Sequence, residues 1–125
     1  MQDRFKFRVW FEKTKLYYEL DSFYYDSIKK KYMFHLDDGH TKTVKEKDCV
    51  IEQCTGLKDK NRKLIYEGDI LKNHRGEVVE VVWDNLISAF YLVGLKDNED
   101  IKNYVVIGNI HEKPELLNGR NNENR

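Results

Sequence analysis

From Phe5 to Phe11 the chain alternates, with Phe5, Phe7, Val9 and Phe11 on one side and Lys6, Arg8 and Trp10 on the other. A period of two is the spacing of a strand with one buried face. The alternation resumes through Leu16, Tyr18 and Leu20, with Glu12 to Lys15 as the turn between. "KKYMFHL" and "HTKTVKE" flank Asp37-Asp38-Gly39, a hairpin signal because glycine takes positive φ at little cost. "CVIEQCT" reads as a further short strand. After residue 68 come "DILKN", a tight turn at His74-Arg75-Gly76, and "EVVEVVWD" with Val79, Val81 and Trp83 on one face. "AFYLV" returns with Phe90 and Leu92 opposite Tyr91 and Val93, and "YVVIGNI" closes the series. Helical periodicity is confined to one expected turn after Pro114, and "NGRNNENR" reads as a disordered tail. The pattern predicts a mainly β fold of antiparallel strands, a sandwich or small barrel, with a short helical turn near the C-terminus.

The 125 residues suit one compact unit or two small subdomains sharing a core. The expected parts are an aromatic-rich β subdomain over 1–55, a second β subdomain over 56–117 and the tail over 118–125. With 22 Lys plus Arg against 22 Asp plus Glu, interleaved along the chain, the composition argues against a protein that coats nucleic acid or an anionic membrane. A local basic face is still compatible with that balance. No apolar run approaches the ~20 residues of a membrane-spanning helix, and the opening "MQDRFKFRVWF" lacks a signal-peptide core. The expected location is cytoplasmic. Cys49 and Cys54 fit a reducing compartment, and on one strand their offset places them on opposite faces roughly 16 Å apart, too far for a disulfide.

"TGLKDKNRKLIYEGDIL" over residues 55–71 has a turn-building explanation throughout. Gly56 ends one strand, Asp59 to Lys63 form a polar hairpin tip, and Leu64 to Tyr66 begin the return. Gly68 supplies a conformation costly for other residues, and Asp69 accepts backbone N–H bonds before Ile70 and Leu71 enter the core. Together with "FKFRVWFEKTKLYY" and "VIGNIHEKPELL", this stretch resembles the YopX family of phage and prophage proteins. The three segments occur in the same order across nearly the whole chain. The resemblance implies a mainly β fold with a small SH3-like barrel, a source in a mobile element, a bacterial host cytoplasm, and no catalytic residues to transfer. The family often reads Asp-Lys-Asn-Gly at the hairpin tip, where this chain has Arg62 after Asn61. Arginine tolerates the left-handed region poorly, so the turn is either built differently or strained.

Catalytic patterns are sparse. Glu67 and Asp69 would share a face on a strand, yet no partner residues mark an acid-base site. His35, His40, His74 and His111 show no metal-ligand spacing, and a site built from His35, His40 and a cysteine is the weaker reading beside surface histidines. "DNED" at 97–100 lacks the ligand pattern of a calcium loop. No cofactor is expected. Eleven of the sixteen aromatics lie between Phe5 and Phe34, more than one thin sheet can bury. Trp10, Tyr17, Tyr24, Tyr25 and Tyr32 are therefore candidates for a protein interface, with self-assembly or a phage or host protein as the expected partner. The alternative is a nucleic-acid-binding barrel in which Lys29, Lys30 and Lys31 track phosphates beside Tyr24, Tyr25 and Tyr32.

Overall fold

The computed structural model describes residues 6–20, 22–36, 39–94 and 100–118. Phe5, Asp37, Asp38, residues 97–99 of "DNED" and residues 119–125 of the expected tail lie outside the described residues.

The described residues form eleven strands: β1 (Phe7–Phe11), β2 (Leu16–Leu20), β3 (Phe23–Asp26), β4 (Lys31–His35), β5 (Thr41–Lys45), β6 (Cys49–Lys58), β7 (Leu64–Tyr66), β8 (Asp69–Lys72), β9 (Val78–Asp84), β10 (Ala89–Val93) and β11 (Val105–Asn109). They assemble into sheets of order β2-β1-β6-β7, β3-β4-β5 and β10-β9-β8-β11, every pairing antiparallel. The fold is mainly antiparallel β, as the alternation predicts, and a helical turn over 116–118 follows Pro114.

Two apolar clusters fill the interior. The first sets Val9, Phe11, Leu20 and Cys49 of the β1 sheet against Phe34 and the flanking Phe23, Tyr32 and Val44 of the β3-β4-β5 sheet. The second gathers Ile65, Leu71, Val79, Val81 and Tyr104, with Phe90 and Leu92 packed against it. The expected division at 55/56 falls inside β6. Strand β1 is buried on both faces: Val9 and Phe11 enter the first cluster, while Trp10, only 2% exposed, packs on the other side against Tyr17 and stacks on His111 at 5.4 Å.

Several readings are corrected. Phe23–Asp26 is a strand, β3, too short to announce itself by alternation. Gly56 does not end a strand: β6 continues to Lys58, and Gly56, at φ +83, sits where the β6–β7 register shifts. Arg62 does occupy the left-handed region, at φ +69. Its turn is held by Asp59, which is buried and accepts from the amides of Asn61 and Lys63 (2.8 Å each) and, across the fold, from Val106 (2.9 Å). Replacing Arg62 with glycine removes a left-handed penalty of about 1–2 kcal/mol and returns part of it as chain entropy. The expected result is a net gain of about 0.5–1 kcal/mol, read as a higher urea midpoint at unchanged slope.

Candidate functional site

Arg8 lies on the face of β1 that the alternation marks as polar, yet only 12% of its side chain is exposed. In register it faces Glu52 of β6, and its Nε donates to Glu52 Oε1 at 2.8 Å. Its Nη2 reaches Asp69 Oδ1 of β8 at 2.8 Å and the Glu67 carbonyl at 3.1 Å. The guanidinium also lies over the rings of Tyr17 (4.5 Å) and Tyr66 (4.8 Å). One cation thus binds buried Glu52 within its own sheet and ties that sheet to the β8 sheet through buried Asp69. Tyr17 donates its hydroxyl to Glu52 Oε1 at 3.0 Å, and His111 Nε2 stands 3.3 Å from Glu52 Oε2.

The electrostatics follow from burial. Desolvation works against the Arg8 charge, but Asp69 and Glu52 outweigh it and hold the guanidinium above its usual pKa. Burial raises the Asp69 carboxyl, with Arg8 and the Tyr66 amide (2.8 Å) pulling it down. Burial and then Glu52 raise the Glu67 carboxyl. The Tyr17 hydroxyl is raised by burial and then Glu52, and that of Tyr66 by burial and then Glu19, so both stay protonated.

Glu67 and Gly68 carry the chain from the β1 sheet to the β8 sheet, and Gly68 is locked by bonds from its amide to Val81 and from Ile110 to its carbonyl. Its φ is +87, and a Cβ there would overlap the Glu52 carboxylate. The turn reading of Gly68 and Asp69 is therefore incomplete. Asp69 pairs with Arg8 rather than with Glu67, and the residues sequence reasoning missed are Arg8, Glu52 and His111. The one sequence signal was Trp10, an apolar residue on a nominally polar face.

A cleft of about 580 Å³ opens over this cluster, lined by Arg8, Tyr17, Tyr66 and Asp69 within and by Lys63 and Lys113 among its outer residues. The Tyr66 hydroxyl is buried and has no hydrogen-bond partner among the described residues. The chemistry this cluster offers is charge holding and hydrogen bonding. Among the described residues no three His, Cys, Asp or Glu side chains are placed to hold a metal ion. His35 Nδ1 instead meets Thr41 Oγ1 at 3.1 Å. Cys49 and Cys54 are buried and not in a disulfide, and burial, with Asp48 and Glu46, pushes the Cys49 thiol up to about 11.

The interface candidates divide. Trp10 is a core residue, filled in by Tyr17 and His111, and is not available at the surface. Tyr17 belongs to the ionic cluster, and Tyr32 is half-buried at the first apolar cluster. Tyr24 (63% exposed) and Tyr25 (43%) face solvent. Of the lysines, Lys29 and Lys31 line a cleft with both tyrosines, while Lys30 sits at the hairpin turn, at φ +52.

The sheet edges differ in how they are protected. Strand β5 carries Lys42 and Lys45, β2 carries Glu19, β3 ends at Asp26, and β7 has only three residues. Strand β11 is bulged, and Leu116 closes over its Gly108. Edge strand β10, Ala-Phe-Tyr-Leu-Val, carries no charged side chain. The turn leading into it exposes Leu86 (95%) and Ile87 (64%). Uncharged, full-length edges of this kind template pairing with another chain.

No helix among the described residues is long and apolar enough to cross a membrane. A sequence profile described as YopX protein matches residues 6–118. Protein EF1440 from Enterococcus faecalis, known from a crystal structure, is similar at a TM-score of 0.66 and 30% identity, over 90% of this chain and 96% of that one. No curated protein matches.

Proposed function

The chain belongs to the YopX family, and on that premise we propose that it is a non-enzymatic phage or prophage protein of the bacterial cytoplasm that works by protein interaction, first of all with a second copy of itself. The observation that carries this reading is the uncharged β10 strand at the end of its sheet, led into by a turn that exposes Leu86 and Ile87. Two β10 strands related by a two-fold axis pair antiparallel, a closed and self-complementary arrangement. Because β10 has no charged residue, the pairing sets no like charges opposite one another. The exposed Leu86 and Ile87 extend the apolar strip beyond the strand. On this reading the interface moves from the aromatic N-terminal half, where the sequence placed it, to the β9–β10 hairpin. The strands from β7 to β11 then form the SH3-like subdomain, and residues up to about 55 the aromatic one. The ionic cluster at Arg8 serves as the joint between them.

Sedimentation velocity on the wild type and on Tyr91→Lys tests the proposal. Tyr91 is half-exposed, so a lysine there is compatible with the fold while placing like charges across the two-fold. The expected result is at least a tenfold weaker assembly for Tyr91→Lys and for Leu86→Asp, with unchanged thermal melting of the dissociated chain. Assembly indifferent to both substitutions overturns the proposal.

A further inference from the structure

We infer that the outer face of the β3-β4-β5 sheet binds a single strand of nucleic acid, stacking bases on Tyr24 and holding phosphates with Lys29, Lys31 and Lys45. The inference is independent of the β10 interface and holds for a monomer as well as an oligomer.

The geometry begins with cross-strand register. Tyr24 pairs with Met33, and Met33 with Thr43, so these three side chains form a row on the face turned away from the first apolar cluster. The Tyr24 ring is held edge-on by His35, with centroids 5.8 Å apart at 87°, which leaves an oriented ring face open to solvent. By the same register Tyr25 and Tyr32 lie on the opposite face, where they pack with centroids 4.7 Å apart and back the sheet. A cleft of about 290 Å³ runs along this row, lined by Tyr24, Tyr25 and Met33 with Lys29 and Lys31. It adjoins a second cleft of about 360 Å³ that shares Lys31 and Thr43 and adds Lys45, while Lys42 of that cleft lies on the other face of the sheet, over the Phe11 ring at 4.6 Å.

Lys31 and Lys45 therefore stand on the Tyr24 face and Lys29 borders its cleft, three lysines against one acid, Asp26. Asp26 is engaged, its Oδ1 accepting the amides of Ile28 and Lys29 at 3.0 Å each. In a chain of zero net charge, the face is a local excess of positive charge beside an exposed aromatic row. That combination fits unpaired bases, because a ring can stack only on a base whose face is free, and the lysines supply sequence-independent phosphate contacts. A duplex hides its base faces and satisfies only the second half of the site. No residue of the row is committed to reading a base edge, so the expected binding is tolerant of sequence and of sugar.

The test is fluorescence anisotropy with a labelled oligo-dT, an oligo-rU and a DNA duplex of the same length, on the full chain. The expected result is binding of both single strands and weaker binding of the duplex. About three phosphate contacts give a salt slope near −2, so affinity falls on the order of twenty-fold between about 50 and 200 mM salt. Tyr24→Ala lowers affinity about tenfold by loss of stacking. Lys31→Ala with Lys45→Ala weakens binding further and flattens the salt slope by about 1.4. Both sets of substitutions lie at the surface or its margin, and a melting curve confirms that each variant is folded. Tyr91→Lys, on a different sheet, leaves the affinity unchanged. No binding at low salt, a preference for duplex, or single-strand binding that neither set alters would overturn the inference.

Discussion

Arg8→Ala is expected to lower the stability of the folded chain by about 3–5 kcal/mol, the cost of leaving buried carboxylates without their cation. Glu52 and Asp69 both end on Arg8 with side chains almost wholly buried, and neither can turn to water without opening the seam between the sheets. The loss is largest at neutral pH. Burial already holds the Asp69 carboxyl above its ordinary pKa, and a raised folded-state pKa means that the folded form takes up a proton more readily than the unfolded one. Removing Arg8 raises it further. The deficit of Arg8→Ala therefore shrinks as pH falls into the carboxylate range, because the proton cancels the charge that Arg8 no longer meets. Combining Arg8→Met with Glu52→Gln and Asp69→Asn is expected to recover most of the stability, since neutral partners carry no unpaired charge. Denaturant melts of the single and triple variants at pH 7 and pH 4 check this. Equal deficits at both pH values would show that Arg8 acts by packing alone.

Gly68→Ala is the second large effect, at about 2–5 kcal/mol. The left-handed backbone costs an L-residue about 1–2 kcal/mol, and forcing a methyl against the Glu52 carboxylate adds about 1–3 kcal/mol of overpacking. The second part depends on Glu52 being present. In a double-mutant cycle, Gly68→Ala in a Glu52→Ala background should therefore cost less than in the wild type, by about 1 kcal/mol or more. A strictly additive pair would place the whole cost in the backbone conformation.

What the sequence made legible depended on how local the cause was. Strands β1, β2, β9 and β10 follow from alternation, and the tip at Asp59 to Lys63 from its turn residues. Strand β3 escaped because four residues, Phe-Tyr-Tyr-Asp, give too little alternation to read beside neighbouring aromatics. The ionic joint escaped for a different reason. Arg8, Glu52 and Asp69 are brought together by the β1–β6 register and by a chain crossover at Gly68, neither of which a single sequence encodes visibly. A buried arginine on an alternating strand looks like a solvated one until a second layer covers that face. Trp10 was the clue that such a layer exists. The lysine face was half legible: Lys29 and Lys31 stand together in the chain, but Lys45 joins them only through the β4–β5 register.

Leu86 and Ile87 stand exposed in the turn that leads into the uncharged β10 strand, and the proposed self-pairing covers them. The most direct measurement is the mass of the full chain in solution by size-exclusion chromatography with light scattering. The account predicts a discrete even multiple of 15.0 kDa that persists on dilution and collapses for Tyr91→Lys. A single species of 15.0 kDa across the concentration range would contradict it.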